Sequence, residues 1–449
     1  MPASGRAAPP SAGGILLLLL TAGGVAAALA VGPSQLTGGP FASAGFPPDF
    51  GDRAYTHVVS IVGASPRPAS SAGEREVAVY VRDQFQKLGL QAAVEEFEFG
   101  SYEIERAQLH VGGLNCRPSL VAFNPYAGVF RFEGVATLVE RRGQDPGALP
   151  DVENGYLVSA EPEDFFPLMF KKPRLLVFVD RSELARLTAS DERRFALTIG
   201  GRPVRLTSAN VIGEVAGNAG ASRQIIVSAH LDAYRNSPGA SDNASGVGVL
   251  IELARHFKSL GPRLKTRVTL VGFGAEELGV LGSRAYVSKH SQELRDCVLH
   301  LNVDAIGGPT GPFVVTLGGV SGGPAHVGEH LFPPDLMDKA WEGLDGKWRL
   351  LDPRLLQAAT AANRPEWIKH IVDECSSALD IAVEHTGNSG SDDLSFTQAG
   401  VPATSVGYGG GPQHSPEDDV GHVRKANLTT VGRLVACIVE RIGAGSVAR

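Results

Sequence analysis

The sequence is poor in cysteine, and this scarcity limits the kind of scaffold that it can form. Its 449 residues include only 4 cysteines: Cys116, Cys297, Cys375 and Cys437. That number is too small for a disulfide-framework protein, and no C-x-x-C pair indicates a thiolate zinc site. An oxidising compartment would permit one or two disulfides, but the spacing alone does not say which cysteines pair.

The chain also lacks an excess of positive charge and any internal repeat. Its 41 lysines and arginines face 48 aspartates and glutamates, so the formal net charge is −7 with neutral histidines. This balance is unlike the basic footprint of a nucleic-acid-binding protein, and we expect no nucleic-acid partner. The hydrophobic fraction of 43% and the length are sufficient for a large buried core and more than one domain.

The N-terminus contains a long uncharged apolar run, Ile15–Val31, which follows a weakly basic start with Arg6. Ala28-Leu29-Ala30 resembles a signal-peptidase cleavage site, which favours a secretory signal peptide. A membrane anchor through residues 15–31 and an Ala-rich disordered tail are the alternatives. Residues 33–51 predict a linker. We therefore predict that residues 1–50 are a signal peptide or membrane anchor plus linker, and that the folded part is extracytoplasmic, secreted or membrane-anchored.

Two regions with different patterns follow the linker. Residues 74–90 have the apolar spacing of a helix that ends at Gly89. Residues 111–205 contain short β-type runs broken by Gly and Pro turns, which predict a β-rich inserted domain. From residue 206 onwards, apolar strands alternate with helices, as in βαβ units. We therefore predict an α/β catalytic domain, built from residues 51–110 and 206–449, with a mainly parallel sheet flanked by helices.

Polar side chains follow four apolar runs of the second half. The runs predict buried parallel strands: Gln224–Ala229, Val268–Phe273, Val298–Val303 and Val401–Val406. The polar residues that follow them, in the same order, are His230, the pair Glu276 and Glu277, Asp304 and His414. Ligands of open α/β sheets bind outside the carboxyl ends of the strands. We therefore expect these side chains to meet at one edge of the sheet.

The side chains at this edge suit a metal centre. Together with Asp242, the candidate ligands are three carboxylates and two imidazoles: His230, Asp242, Glu277, Asp304 and His414. Such a set suits zinc, with cobalt or manganese as substitutes in vitro. It exceeds what one catalytic zinc with an open position uses, so we predict two zinc ions. Asp242, just before a predicted helix over residues 247–259, is the best candidate for a bridging ligand.

Two further carboxylates are predicted to support the metal centre. Asp232 lies two residues beyond His230, so extended backbone places both side chains on the same side, and Asp232 can orient the imidazole. Glu276 and Glu277 are adjacent and point apart at a strand end. One can ligate while the other serves as a general base, but the spacing does not decide which.

The motifs around these residues resemble one family. The segments "HLDA", "GASDNASG", "GAEELGVLGS", "NVDAIG", "SGSDDLSFTQAGVPA" and "PQHSPEDD" are similar to the successive motifs of the M28 zinc metallopeptidases. The resemblance covers residues 53–90 and 208–442. It implies a zinc exopeptidase-like fold, a bridging ligand at Asp242 and a general base at Glu276. It places Asp232 behind the histidine and implies these metal ligands: His230, Asp242, Glu277, Asp304 and His414.

The chain departs from the family pattern at several positions. Asp393 stands where the family often has histidine, and Gln413 stands where some members have tyrosine. None of the motifs identifies a tyrosine that would stabilise an oxyanion. Tyr408 is the candidate for this role. Residues 111–205 occupy the position at which many members carry a domain of the protease-associated type. Residues 307–363 align with none of the motifs.

These features together predict a secreted or membrane-anchored di-zinc exopeptidase, an aminopeptidase that acts on peptide substrates. One alternative is a glutaminyl cyclase-like enzyme, which has a similar fold and a single zinc. Another is an M20-type deacylase or dipeptidase, and a third is a non-catalytic relative, which would lack some of the ligands. The preferred side chain, the choice between aminopeptidase, carboxypeptidase and dipeptidase, and the oligomeric state do not follow from the sequence.

Overall fold

A computed structural model gives the fold of most of the chain. It describes residues 45–111, 113–116, 118–122, 128–139, 156–159, 175–179, 181–190, 194–218, 223–235, 237–308, 313–316, 366–386, 391–407 and 411–443. The apolar run at residues 15–31, Tyr408 and most of residues 307–363 lie outside these ranges. Within them, no helix has both the length and the apolar character needed to cross a membrane.

Two helices precede the sheet, α1 (Phe50–Val62) and α2 (Ala72–Lys87). The helix expected over residues 74–90 is therefore confirmed, with its start two residues earlier. That start is stabilised because Ser71 Oγ accepts a hydrogen bond from Glu74 N, 3.1 Å away, which satisfies one otherwise unpaired donor of the first turn. Gly89, just beyond the end, adopts φ +72°, a left-handed conformation that favours glycine.

The middle of the chain is rich in β-structure. Its elements are β1 (Gln91–Val111), β2 (Leu114–Cys116), β3 (Pro118–Ala122), β4 (Gly128–Val139), β5 (Tyr156–Ser159), β6 (Leu175–Val179), α3 (Arg181–Thr188) and β7 (Arg194–Val215). Strands β1 and β7 pair antiparallel from Gln91↔Glu214 to Val111↔Phe195. This one ladder runs across residue 205, the C-terminal limit of the expected insertion, and ends at its N-terminal limit, residue 111. A separate inserted domain over residues 111–205 stays a prediction.

The second half alternates strands and helices. Its elements are β8 (Gln224–His230), α4 (Gly246–Leu260), β9 (Arg267–Phe273), α5 (Leu281–Lys289), β10 (Cys297–Val303), β11 (Phe313–Thr316), α6 (Glu366–Leu379), β12 (Val383–Thr386), α7 (Asp393–Gln398), β13 (Ala403–Gly407) and α8 (Lys425–Gly443). Each of the four predicted strands is present within two residues of its expected bounds. Strand β13 begins after Pro402, since proline has no N–H to donate to a ladder.

The strands are hydrogen-bonded in the order β12-β11-β13-β10-β8-β9-β7. The four strands β13, β10, β8 and β9 pair parallel with their neighbours. Strands β7 and β11 flank them and pair antiparallel with β9 and β13. The predicted α/β class with a mainly parallel sheet is confirmed. The carboxyl ends of the four parallel strands lie at one edge of the sheet.

Helices cover both faces of this sheet. Alternate residues of β8 point to opposite faces, with Ile225 and Val227 in one apolar cluster and Ile226 in another. The first cluster includes residues of α1, α4, α6 and α8, and the second includes residues of α5 and α7. A disulfide between Cys375 and Cys437 joins α6 to α8. Strand β8 is buried along its whole length, which holds the His230 end of the strand rigidly.

Candidate active site

The structure brings the five predicted ligands together at the carboxyl edge of the sheet. They stand at the end of β8, in the turn before α4, after β9, after β10 and beyond β13, in the order His230, Asp242, Glu277, Asp304 and His414. Asp242 lies in an irregular helical turn, Ala240–Ser245, and is joined to Asn243 by a cis peptide bond. The chain order and the strand order together therefore place distant residues at one site.

Two clusters of potential ligand atoms share Asp242. In the first, His230 Nε2 lies 3.0 Å from Asp242 Oδ1 and 3.2 Å from Asp304 Oδ1. In the second, His414 Nε2 lies 3.1 Å from Asp242 Oδ2 and 3.2 Å from Glu277 Oε2. Within each cluster the ligand atoms are all within 4.8 Å of one another. Asp242 thus directs one oxygen to each cluster.

The donor set fits zinc. Ligand atoms 2.0–2.2 Å from a tetrahedral zinc are about 3.3–3.6 Å apart, and the imidazole–carboxylate separations lie just below that spacing. Glu277 Oε1 is buried without a hydrogen-bond partner among the described residues, so this carboxylate has unused acceptor capacity. A buried, unpaired oxygen beside an imidazole is costly unless a cation binds there.

Nearby negative charge raises the pKa values of both imidazoles of the site. Burial lowers the pKa of His230, but the carboxylates of Asp304 and Glu276 outweigh burial and raise it well above its usual range. Burial likewise opposes the carboxylates of Glu277 and Asp242, which raise the pKa of His414. A bound cation would replace the protons that these carboxylates attract, because metal ligands bind in their deprotonated form.

Asp232 contacts the backbone of both glutamates as well as the ring of His230. Its carboxylate is buried and accepts hydrogen bonds from the backbone N–H groups of Glu276, at 3.0 Å, and Glu277, at 3.1 Å. His230 Nδ1 lies 3.2 Å from the Asp232 carbonyl oxygen and 3.5 Å from its carboxylate. Asp232 therefore lies behind the histidine, as expected, and also fixes the backbone of both glutamates.

Glu276 is close to the two clusters without belonging to either. Burial raises its pKa well above the usual range, and the carboxylates of Asp304 and Asp392 add to this shift. Asp392, from the segment in which the chain departs from the family pattern, is fully buried. The structure thus separates the two adjacent glutamates: Glu277 lies beside His414, and Glu276 belongs to neither cluster.

Two residues outside the predicted set also contact the site. Asp418 accepts hydrogen bonds from Ser241 N at 2.7 Å and Asp242 N at 3.0 Å, and so fixes the backbone of the shared ligand. Tyr234 stacks on the ring of His414, with centroids 4.7 Å apart and planes 17° apart. Each residue lies four positions after a candidate histidine, and Asp418 also falls within the segment "PQHSPEDD".

The mainly parallel α/β sheet thus carries, at its carboxyl edge, two imidazole–carboxylate clusters that form a candidate metal centre. Residues 210–330 and 343–439 match the model of peptidase family M28. Aminopeptidase YwaD of Bacillus subtilis is 30% identical over 247 residues, which are 52% of this chain and 44% of that protein. The probable lipoprotein aminopeptidase LpqL of Mycobacterium tuberculosis is 36% identical over 102 residues, which are 22% of this chain and 20% of that protein.

A solved structure shares the fold. BSAP, a zinc aminopeptidase from Bacillus subtilis, superposes with a TM-score of 0.59 at 20% identity, covering 89% of this chain and 96% of that chain. The sequence alignments span less than half of the length of the two curated relatives. The chain belongs to peptidase family M28, a family of metallopeptidases, as its motifs predict.

Proposed function

We propose that the chain is an aminopeptidase that holds two zinc ions. The observation that carries this proposal is the position of Asp242, whose two oxygens face two different imidazoles. One ion would be held by His230, Asp242 and Asp304, and the other by Asp242, Glu277 and His414. The names of the relatives, an aminopeptidase and a zinc aminopeptidase, support the same assignment.

In this proposal each side chain of the site has a separate role in peptide hydrolysis. When bound, zinc supplies a Lewis acid that polarises the scissile carbonyl and makes water more acidic. Glu276 accepts the proton of the attacking water at its carboxylate and delivers it to the leaving amine. Asp232 fixes the backbone of Glu276, which keeps this carboxylate in place during both transfers. In this proposal the free α-amino group of the substrate lies near the metal ions and a carboxylate of the site.

We propose an extracytoplasmic location for the enzyme, either secreted or membrane-anchored through residues 15–31. The disulfide between Cys375 and Cys437 supports this, because disulfides persist in oxidising compartments. The name of one relative, a probable lipoprotein aminopeptidase, points the same way. In this proposal residues 51–110 and 206–449 form the catalytic domain, and residues 111–205 form a β-rich insertion.

Purified protein with a measured zinc content tests the function. We expect about two zinc ions per chain and hydrolysis of aminoacyl anilides and of peptides with a free N-terminus. The same peptides with a blocked N-terminus should be cleaved poorly. Cleavage confined to the blocked peptides would contradict an aminopeptidase. One zinc per chain, with cyclisation of N-terminal glutamine, would identify a glutaminyl cyclase instead.

A further inference from the structure

A fully buried arginine lies beneath the loop that joins two of the proposed ligands. Arg67, between α1 and α2, has no exposed surface. Its Nε donates to Leu231 O at 3.0 Å, and its Nη2 donates to Gly239 O at 2.6 Å. Its Nη1 donates to Pro238 O and, at 3.2 Å, to Ser65 Oγ. One guanidinium therefore binds both ends of the segment that runs from residue 231 to residue 239.

The backbone strengthens this attachment. Ala233 N donates to Arg67 O at 3.1 Å, so the loop binds the arginine through its side chain and its main chain. Gly239 adopts φ +67°, and a Cβ there would lie 2.6 Å from Arg67 Nη2 and 2.5 Å from Asp242 O. Glycine at this position permits the close approach of loop and guanidinium.

Arg67 also supplies charge where the chain gathers acids. Burial lowers the pKa of Arg67, and the carboxylates of Asp232, Asp242 and Asp418 oppose that shift. An arginine keeps its charge in proteins. The guanidinium is therefore a permanent counter-charge for carboxylates that would otherwise repel one another before cations bind.

We propose that Arg67 is a positioning residue for the metal centre. It holds the loop between His230 and Asp242 in the shape in which Asp242 faces both imidazoles, and it offsets the charge of the surrounding acids. This inference rests on the proposed zinc site. It assigns to the segment between α1 and α2 an influence on metal affinity that acts through this loop.

The two contributions of Arg67 can be separated by substitution. Lysine keeps the charge but has a single nitrogen, which cannot reproduce a planar fork that reaches Leu231 and Gly239 together. Methionine removes both the charge and the donors while filling much of the space. We expect R67M to bind zinc about 10–100-fold more weakly, as for other residues that support metal ligands, and R67K to lie between R67M and the wild type.

Zinc affinity is measured on the full chain by competition with a chromophoric chelator, without substrate. Circular dichroism and thermal unfolding of the metal-free proteins report whether each variant folds. R53M is the matched control, because Arg53 donates to the buried Glu252 at 2.7 Å and has no contact with the ligand clusters. We expect R53M to lower the unfolding temperature and to leave the zinc affinity unchanged.

A folded R67M protein with wild-type zinc affinity would overturn the proposal. If R67M does not fold, the zinc affinity of R67K is compared with that of the wild type. Weaker binding by R67K supports the positioning role, and unchanged binding overturns it. A wild type that binds zinc but hydrolyses no aminoacyl substrate would contradict the aminopeptidase function and leave the Arg67 comparison intact. A wild type without zinc affinity overturns both.

Discussion

At the scale of single residues, Asp232 and Asp242 show how two carboxylates of one loop take different tasks. Asp242 directs its oxygens at His230 and His414, so both remain available to cations. Asp232 has both oxygens occupied by backbone N–H groups of the following glutamates. A carboxylate that already accepts two backbone hydrogen bonds gains less from a metal ion. Hydrogen bonding therefore separates a proposed ligand from a supporting residue.

Replacing Glu276 tests the proposed base. We expect E276Q to keep its zinc and to lose about 10²–10⁴-fold in kcat, because the amide cannot accept a proton. Zinc content and hydrolysis of an aminoacyl anilide are measured on the same preparation. E277Q is the matched control and should lose zinc, since Glu277 lies in the cluster with His414. A fully active E276Q would contradict the assignment.

Removing the histidine at the end of β8 should have a broader effect. His230 contacts Asp242 and Asp304, so H230A removes a ligand atom from the first cluster. We expect both zinc content and activity to fall. Retention of two zinc ions and wild-type activity in H230A would exclude this residue from the metal centre.

At the scale of secondary-structure elements, α2 controls the end of β9. Glu74, in the first turn of α2, accepts hydrogen bonds from Ser208 Oγ at 2.8 Å and Ala275 N at 2.9 Å. Ala275 directly precedes Glu276 and adopts φ +53°, a conformation that a non-glycine residue adopts only with support from its surroundings. The helix predicted from apolar spacing therefore also fixes the turn that carries the glutamate pair.

The disulfide between α6 and α8 should stabilise the fold. It closes a loop between residues 62 positions apart, Cys375 and Cys437. A loop of that length corresponds to about 4 kcal/mol of restricted unfolded-state entropy. We expect the double variant C375A/C437A to lose about 2–4 kcal/mol of unfolding free energy in urea. The variant C297A, at a free buried cysteine, controls for lost packing and should not respond to reductant. Equal stability of the double variant and the wild type would contradict this role.

A second inter-helix contact should make stability depend on pH. Burial raises the pKa of Glu252 on α4, but hydrogen bonds from His57 and Arg53 on α1 outweigh it and lower the pKa to about 2. A lowered folded-state pKa contributes stability that is complete above the unfolded value of about 4.5 and is lost as the pH falls towards 2.

Urea unfolding at pH 6 and pH 3 measures this dependence. The unfolding free energy of the wild type should exceed that of E252Q at pH 6. The difference should shrink at pH 3, where Glu252 binds a proton in the unfolded chain but stays mostly ionised in the folded state. E98Q is a suitable control, because the ion pair of Glu98 with Arg205 is exposed and contributes little. A difference between wild type and E252Q that does not change with pH would contradict the assigned shift.

At the scale of the whole molecule, the site joins elements that are far apart in the chain. Its ligands come from four strand ends and one helix start, from residue 230 to residue 414. Without cations, the carboxylates at this edge repel one another, and the described groups that offset them are the two imidazoles and Arg67. Cations that bind the folded state alone should therefore stabilise the entire catalytic domain.

Metal removal tests this coupling. We expect chelation to lower the unfolding temperature and added zinc to restore it. At a free zinc concentration of 100 times Kd, one site contributes about 2.7 kcal/mol. Thermal unfolding is followed in chelator and after zinc is added back, with H230A as a control that should respond less. An unfolding temperature that is unchanged by chelation would argue against a zinc site.

Local sequence patterns predict the four parallel strands and the five residues that meet at one edge of the sheet. Apolar periodicity depends on neighbouring residues, and parallel strands necessarily place their carboxyl ends at one edge. The ordered motifs added the family. Asp242 is also predictable from local sequence, because its carboxylate lies among glycines just before a predicted helix.

The hydrogen bonds that hold the ligands in place come from tertiary contacts that the sequence does not reveal. Asp232 accepts hydrogen bonds from backbone N–H groups that lie 44 and 45 residues further along the chain. Asp418 accepts one from the backbone N–H of Asp242, 176 residues away. Arg67 donates to backbone carbonyls of the loop that precedes Asp242. Every residue has a backbone N–H and a carbonyl, so the residue type carries no signal for these bonds. The pairing of Cys375 with Cys437 and the long ladder of β1 with β7 likewise depend on packing between distant segments, which no local pattern records.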